Sequence, residues 1–194
     1  FPVTDPPDPL ARRIEYPCVI KPLALAASRG VIRADDPATF VAAWRRVVKI
    51  LEGAEAKRKG GSAGGWILVE SYVPGRELAL EGLLVAGALR TLALFDKPDP
   101  LEGPFFEETL YVTPSRLPEE TQAEIRRVAA LAARALGLVE GPVHAEFRLN
   151  EQGVWPLELA ARSIGGLCAR ALRFGAGISV EELILRHGLG REIE

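Results

Sequence analysis

The stretch HAEFRLNEQGVWPLELAAR, residues 144–162, decides how this chain is read. Its centre, Asn150-Glu151-Gln152-Gly153, separates two alternating runs and reads as the turn of a β-hairpin. A three-residue loop, Glu151 to Gly153, with Gly153 in the left-handed conformation, pairs Asn150 with Val154. Glu146 then falls directly across from Glu158, His144 across from Ala160 and Arg148 across from Pro156. Successive side chains point to opposite faces of a strand. One face therefore carries Val143, Ala145, Phe147, Leu149, Trp155, Leu157, Leu159 and Ala161, and is wholly apolar. The other carries His144, Glu146, Arg148, Glu158 and, at the end, Arg162. A slip of one residue separates the two glutamates and mixes the apolar set, so burial of one face selects this register.

Like charges directly opposite one another on paired strands are destabilising. A hard divalent cation held by oxygen ligands offsets that repulsion. The plainer alternative is a solvated face with the flanking arginines as counter-charges.

The chain has 194 residues, enough for one domain with a core or for two closely joined lobes. Its formal net charge of −2 argues against a basic nucleic-acid surface or a polybasic membrane patch. No apolar run approaches the ~20 residues of a membrane span, and no signal peptide is expected; the expected location is cytoplasmic. Cys18 and Cys168 lie in apolar surroundings without metal-ligand spacing and read as reduced thiols. The two histidines are far apart in sequence and form no zinc motif. There is no methionine, and the opening PVTDPPDP reads as a linker. The chain is therefore expected to be a piece of a longer protein.

Residues 16–21, YPCVIK, read as a short buried strand ending in a lysine. LALAASRGVIRADD follows, with Ser28-Arg29-Gly30 before a second short strand. Asp36 and Pro37 mark a helix start as N-cap and first-turn proline. Phe40, Trp44, Val47, Val48 and Leu51 recur at helical spacing, and Gly53 ends the helix. KRKGGSAGG reads as a flexible loop, WILVESYV as a strand and PGRE as a turn. Residues 77–97 give two strands around Ala86-Gly87, and FFEETLYVTPS gives another entering a proline turn. Pro118 to Leu136 reads as a long helix, with Ile125, Val128, Ala129, Ala132 and Leu136 on one side and Gly137 at its end. After the hairpin, IGGLCARALRFG and SVEELILRHG read as two short helices. Strands come mostly in hairpins without regular βαβ alternation, which is an α+β class built on antiparallel sheets.

The GGSAGG loop leads into a strand, whereas a phosphate cradle opens a helix, so it is read as a surface connection. GxxxxGK and GxGxxG are both missing, which argues against a P-loop and a dinucleotide fold. Lys21 ends an apolar strand before a loop rich in backbone donors, a pairing that suits a polyphosphate; alone, a strand-end lysine is usually just solvated. In WILVESYVPGRE, Glu70 ends one strand and Glu77 begins the next. Backbone groups of such a hinge can read a flat base and a carboxylate can hold a diol, although a plain turn with two exposed acids has the same pattern.

Taken together, Lys21 with the SRGV loop, the ESYVPGRE hinge, HAE at 144–146 and ELAAR at 158–162 resemble the ATP-grasp superfamily in kind and order. The resemblance covers nearly the whole chain. It is nearest to the carboxylate–amine ligase branch that includes L-amino-acid ligases and carnosine synthase. Biotin carboxylase and the carbamoyl-phosphate synthase large subunit are more distant. FDKPDPLEGPFFEETLYVTPSRLP is similar to that branch as well.

The resemblance implies an ATP-grasp fold of two lobes whose antiparallel sheets sandwich ATP. Residues 1–75 form a small lobe, with a linker over 1–13, and residues 76–194 a large lobe with the metal site. Lys21 contacts the phosphates under the loop from Ala26 to Gly30, including Ser28 and Arg29. Glu70, Ser71 and Val73 frame the adenine, and Glu77 binds ribose. Glu146 and Glu158 hold Mg2+, with Mn2+ as a substitute. Arg162 steadies the transferred phosphoryl group, with Lys21 beside it in the catalytic set. The implied reaction joins a small-molecule carboxylate to an amine through an acyl-phosphate, and the implied partners are further domains of the same chain. The alternatives are a biotin carboxylase-like, carbamoyl-phosphate synthase-like or purine-biosynthesis enzyme of the same fold, or a nucleotide-binding module without catalysis. Two departures stand out: Ala160 occupies the place where the family often has a third metal ligand, an asparagine, and the loop is poor in glycine.

Overall fold

The computed structural model describes residues 1–107, 110–175 and 177–191. The chain divides into two compact units, Phe1–Val73 with Leu101–Glu108, and Pro74–Pro100 with Thr109–Glu194.

In the first unit the elements run α1 (Pro7–Ala11), β1 (Cys18–Pro22), β2 (Ile32–Ala34), α2 (Pro37–Leu51), α3 (Ala54–Gly60), a 3-10 turn over Gly61–Gly65, and β3 (Ile67–Ser71). The three strands form an antiparallel sheet in the order β2-β1-β3. Helix α2 starts where the sequence says: the Asp36 carboxylate accepts from Thr39 N at 2.8 Å while the Thr39 hydroxyl accepts from Asp36 N, and Pro37 opens the first turn. Its buried face, Phe40, Ala43, Trp44, Val47 and Leu51, packs on Cys18, Ile20, Ile32, Ala34 and Ile67. The Cys18 thiol lies inside this core, where burial, then the Asp35 charge, pushes its pKa up to about 11. That makes it a poor thiolate, as expected of a packing cysteine.

Two readings need correction here. KRKGGSAGG is helical, because the strong helix formers of α3 lead into a 3-10 turn and Ala56 is buried against the core. FFEETLYVTPS is not a strand over its described residues. Phe105 bridges Ile32 and Val112 bridges Asp96, with prolines at 104 and 114 restricting longer pairing. Glu108 and Thr109 lie outside the described residues. Leu101 and Phe106 are buried with Val19, on the sheet face away from α2.

The second unit contains β4 (Arg76–Val85), β5 (Ala88–Asp96), α4 (Glu119–Ala135), β6 (Gly141–Asn150), β7 (Gly153–Ala160), α5 (Cys168–Ala171), β8 (Arg173–Phe174), β9 (Ile178–Ser179) and α6 (Val180–Gly188). Its main sheet is antiparallel, in the order β5-β4-β6-β7. One face, Leu78, Leu80, Leu94, Ala145 and Phe147, packs against Ile125 and Ala129 of α4. The other face, Ala79, Ala93 and Phe95, meets Ile164, Ala169, Leu172 and Val180. The buried stripe of α4 runs through Ala133, while Leu136 lies beyond the helix end and is exposed. IGGLCARALRFG holds only the short α5, because Gly165-Gly166 disfavours helix and Arg173-Phe174 pair with β9 instead. No helix among the described residues is long and apolar enough to cross a membrane.

Candidate functional site

Glu146 pairs directly with Glu158 across β6 and β7, and His144 with Ala160, as the sequence predicts. The route to that register differs. The turn holds two residues, Glu151 and Gln152, and Asn150 pairs with Gly153. The Asn150 side chain organises it: Oδ1 accepts from Gln152 N at 2.9 Å and from Trp155 Nε1 at 3.2 Å, while Nδ2 donates to Pro74 O at 2.9 Å. Arg148 therefore faces Trp155, not Pro156. A register shift between Glu146 and Phe147 then takes up Leu157 and restores the glutamate pair. Trp155 consequently leaves the apolar face and is 41% exposed, and Val154 takes its place against the core. Gly75 fits beside this hairpin only as glycine: a Cβ there would lie 2.4 Å from Leu149 O.

On β6 the polar face of the hairpin is not a solvated surface, since His144 and Arg148 are buried and Glu146 is largely covered. Pairing with β4 sets Arg148 beside Glu77, Glu146 beside Ala79 and His144 beside Glu81. Glu77 is buried and held from two sides, by Lys97 Nζ at 2.8 Å and Arg148 Nη2 at 3.1 Å. Lys97 also reaches Glu146 Oε2 at 3.5 Å and lies over the Tyr111 ring. His144 Nε2 is 3.3 Å from Glu146 Oε1, and its Nδ1 is 3.4 Å from Glu81 Oε2. Burial favours the protonated Glu146, but His144 and Lys97 outweigh it and hold the carboxyl below its ordinary range. Burial likewise opposes charge on His144, yet Glu146 and Glu81 outweigh it and raise the imidazole. Glu81 is the reverse case: its desolvation exceeds every favourable contact, and its carboxyl is pushed up.

Glu158 and Arg162 are exposed, with Arg162 Nη2 3.9 Å from Glu158 Oε1. Arg162 also donates to Ser163 O at 3.0 Å. Among the described residues no group of three or more His, Cys, Asp or Glu side chains is gathered to hold a metal. A magnesium ion needs less than that, since it commonly takes one or two carboxylates and completes its shell with water and phosphate oxygens. Two carboxylates in direct register, one already ionised by its neighbours, are a donor set of that kind.

In the first unit, Lys21 and Glu70 are ion-paired across β1 and β3, on the sheet face opposite α2. Both are partly exposed. Ser28, Arg29 and Gly30 line a cavity of about 690 Å³ with Arg46, Ile50 and Phe105. Ala27 and Ser28 both take positive φ, 58° and 53°, ahead of Gly30 at 79°. Such backbone costs about 1 kcal/mol or more for each residue bearing a side chain, so this glycine-poor loop holds its shape under strain. Ser71 ends β3 and is exposed; Tyr72 N donates to Pro17 O at 3.0 Å, and Val73 closes the unit.

The structure thus brings Glu77, Glu146 and Glu158 together on one sheet and Lys21 with Glu70 on another. It adds Lys97, Glu81 and His144, which motif reading passed over as functional groups. A signal existed for two of the three. Lys97 ends an apolar run, ALFDK, as Lys21 ends its own, and Glu81 is a lone charge inside LALEGLLV.

Comparison with known proteins gives this geometry its context. Residues 14–171 match the model of a family described as "ATP-grasp domain". The chain is 29% identical over 188 residues to the alanine–anticapsin ligase of Bacillus subtilis strain 168, covering 89% of this chain and 38% of that protein. It is 36% identical over 109 residues to carnosine synthase 1 of Gallus gallus, covering 55% of this chain and 12% of that protein. Its structure is similar to the crystal structure of L-amino acid ligase from Bacillus licheniformis, with a TM-score of 0.71 and 32% identity over 91% of this chain and 39% of the other. The chain spans less than half the length of each of these proteins.

Proposed function

The chain belongs to the ATP-grasp family, and from that premise we propose that it carries the nucleotide and metal machinery of an ATP-dependent ligase that joins a carboxylate to an amine. The observation that supports this most is the register of β6 and β7, which sets Glu146 against Glu158 in a chain related to amino-acid ligases.

In this reading the substrate carboxylate attacks the γ-phosphorus of ATP. The bond to the bridging oxygen breaks, ADP leaves, and an acyl-phosphate remains. The amine then attacks the acyl carbon, phosphate departs and the amine proton is released. Lys21 supplies a point charge for the phosphates, and the strained loop from Ala26 to Gly30, with Ser28 and Arg29, offers backbone donors to them. Glu70, Ser71 and Val73 frame the adenine. Glu77 has lone pairs to spare for the ribose hydroxyls beyond those turned to Lys97 and Arg148. Glu146 and Glu158 hold Mg2+ or Mn2+, which when bound neutralises phosphate charge. Arg162 presents a planar fork to the transferred phosphoryl group, a geometry lysine does not reproduce. Catalysis of this kind rests on positioning and electrostatics, because the protein forms no covalent bond to the phosphoryl group.

Calorimetry with the full-length protein tests the first half of the proposal. ATP or ADP is expected to bind more tightly with magnesium than without it, and Glu158→Gln to remove most of that gain. A well-folded protein that binds neither nucleotide sinks the reading.

A further inference from the structure

A carboxylate inside an apolar strand is costly to bury. Glu81 is fully buried within β4, between Leu80 and Gly82, where a leucine of similar size would avoid the cost. Its partners indicate what the carboxyl group is for. Glu81 Oε2 accepts from Ile164 N at 2.9 Å and lies 3.4 Å from His144 Nδ1. His144, itself buried, turns its other nitrogen to Glu146 at 3.3 Å. Ile164 stands two residues after Arg162. One carboxylate therefore touches both the segment that carries Arg162 and the imidazole that touches Glu146.

The strand geometry is arranged around the same residues. The β4–β5 ladder shifts register between Glu81 and Gly82, and the β6–β7 ladder between Glu146 and Phe147. Such irregularities re-aim side chains locally. Among the described residues, Glu81 Oε1 and His144 Nδ1 are buried without a partner in hydrogen-bond geometry, Nδ1 making only its 3.4 Å ion-pair contact with Glu81 Oε2, so packing and apolar burial alone do not explain this pair.

We propose that Glu81 is a positioning residue of the phosphoryl-transfer site: through His144 it fixes the Glu146 carboxylate, and through Ile164 N it anchors the segment bearing Arg162. This rests on Glu146 being a metal ligand. Outer partners of ligating groups orient them, and losing one typically weakens metal binding by about 10- to 100-fold.

The test uses the full-length protein, its Glu81→Gln and His144→Gln variants, and Mn2+ as probe in the presence of ADP. Free Mn2+ is read by electron paramagnetic resonance, and metal-free ADP affinity by calorimetry. Both variants are expected to bind Mn2+ about tenfold more weakly or worse, with metal-free ADP affinity kept within about twofold; a role in stability alone would not produce that pattern. Wild-type protein that binds no Mn2+ with ADP overturns the metal site and this inference together. Wild-type binding that both folded variants reproduce overturns this inference alone. Two variants that fail to fold assign Glu81 and His144 to stability and overturn it as well.

Discussion

The two units handle charge in opposite ways. Among the described residues the buried polar and charged side chains are Glu77, Glu81, Asp96, Lys97, His144 and Arg148, and all of them belong to the second unit. The first unit buries an apolar core and leaves Lys21, Glu70, Asp8 and Arg45 partly or largely exposed. Buried charges are expensive, but once paired they hold their neighbours in a fixed geometry before any ligand arrives. Exposed ones cost little and remain free to adapt. The second unit thus holds the Glu77, Lys97 and Arg148 cluster fixed in advance, whereas the first leaves Lys21 and Glu70 able to respond to a ligand.

The largest expected effect tests that rigidity. Arg148→Met removes one of the two cations holding the Glu77 carboxylate. It should destabilise the second unit by about 3–5 kcal/mol, the usual consequence of stranding a buried charge, as measured by urea unfolding. A loss below about 1 kcal/mol, the scale of a surface pair, would erase the contrast between the units.

A smaller effect is expected in the first unit, on binding instead of folding. Lys21→Ala should weaken ATP binding by roughly 1.5–3 kcal/mol, the range for a charge-assisted contact. Unfolding free energy should move by no more than about 0.5 kcal/mol, because the pair with Glu70 is partly exposed. Calorimetry and urea unfolding on the same preparation separate the two. A large stability loss with unchanged ATP affinity would reverse the assignment.

The smallest effect is a pH dependence. Hydrogen bonding from Thr39 N holds the Asp36 carboxyl below its ordinary range. A depressed folded-state pKa gives stability that is present above the unfolded value and is lost as pH falls through the folded value. Asp36→Asn keeps a cap but has no charge to lose. Thermal melts should therefore show the wild type more stable near neutrality, with the two proteins converging in acid. Parallel curves at all pH values would remove Asp36 from the account.

Much of this was legible in the sequence, and the failures have physical causes. The Glu146–Glu158 register survived a wrong loop because two errors cancelled. The Asn150 side chain shortened the turn by one residue, and the irregularity at Leu157 returned it. Neither is visible in alternation alone, which fixes faces but not bulges. Trp155 was misplaced for the same reason. The 57–65 segment was misread because its glycines outweighed the helix formers before them, and the buried Ala56 that anchors α3 is a tertiary fact. Lys97 and Glu81 were missed as functional groups because their meaning comes from neighbours on β6, far away in sequence. Residues that stand near one another along the chain are legible from sequence, and the rest are brought together only by the sheet.

We propose above that the chain serves phosphoryl transfer to a carboxylate, with Arg162 acting on the group in flight. This is tested most directly by ADP release from the full-length protein over a panel of amino acids, with hydroxylamine present to trap an acyl-phosphate as the hydroxamate. ADP is expected only when a suitable carboxylate is supplied, and hydroxamate is expected with it. Arg162→Lys is also expected to lower turnover far more than ATP affinity, because the guanidinium contact strengthens as charge develops in transfer. Equal turnover in the wild type and Arg162→Lys would remove Arg162 from the reaction, and ATP binding with no ADP release on any substrate would contradict the ligase itself.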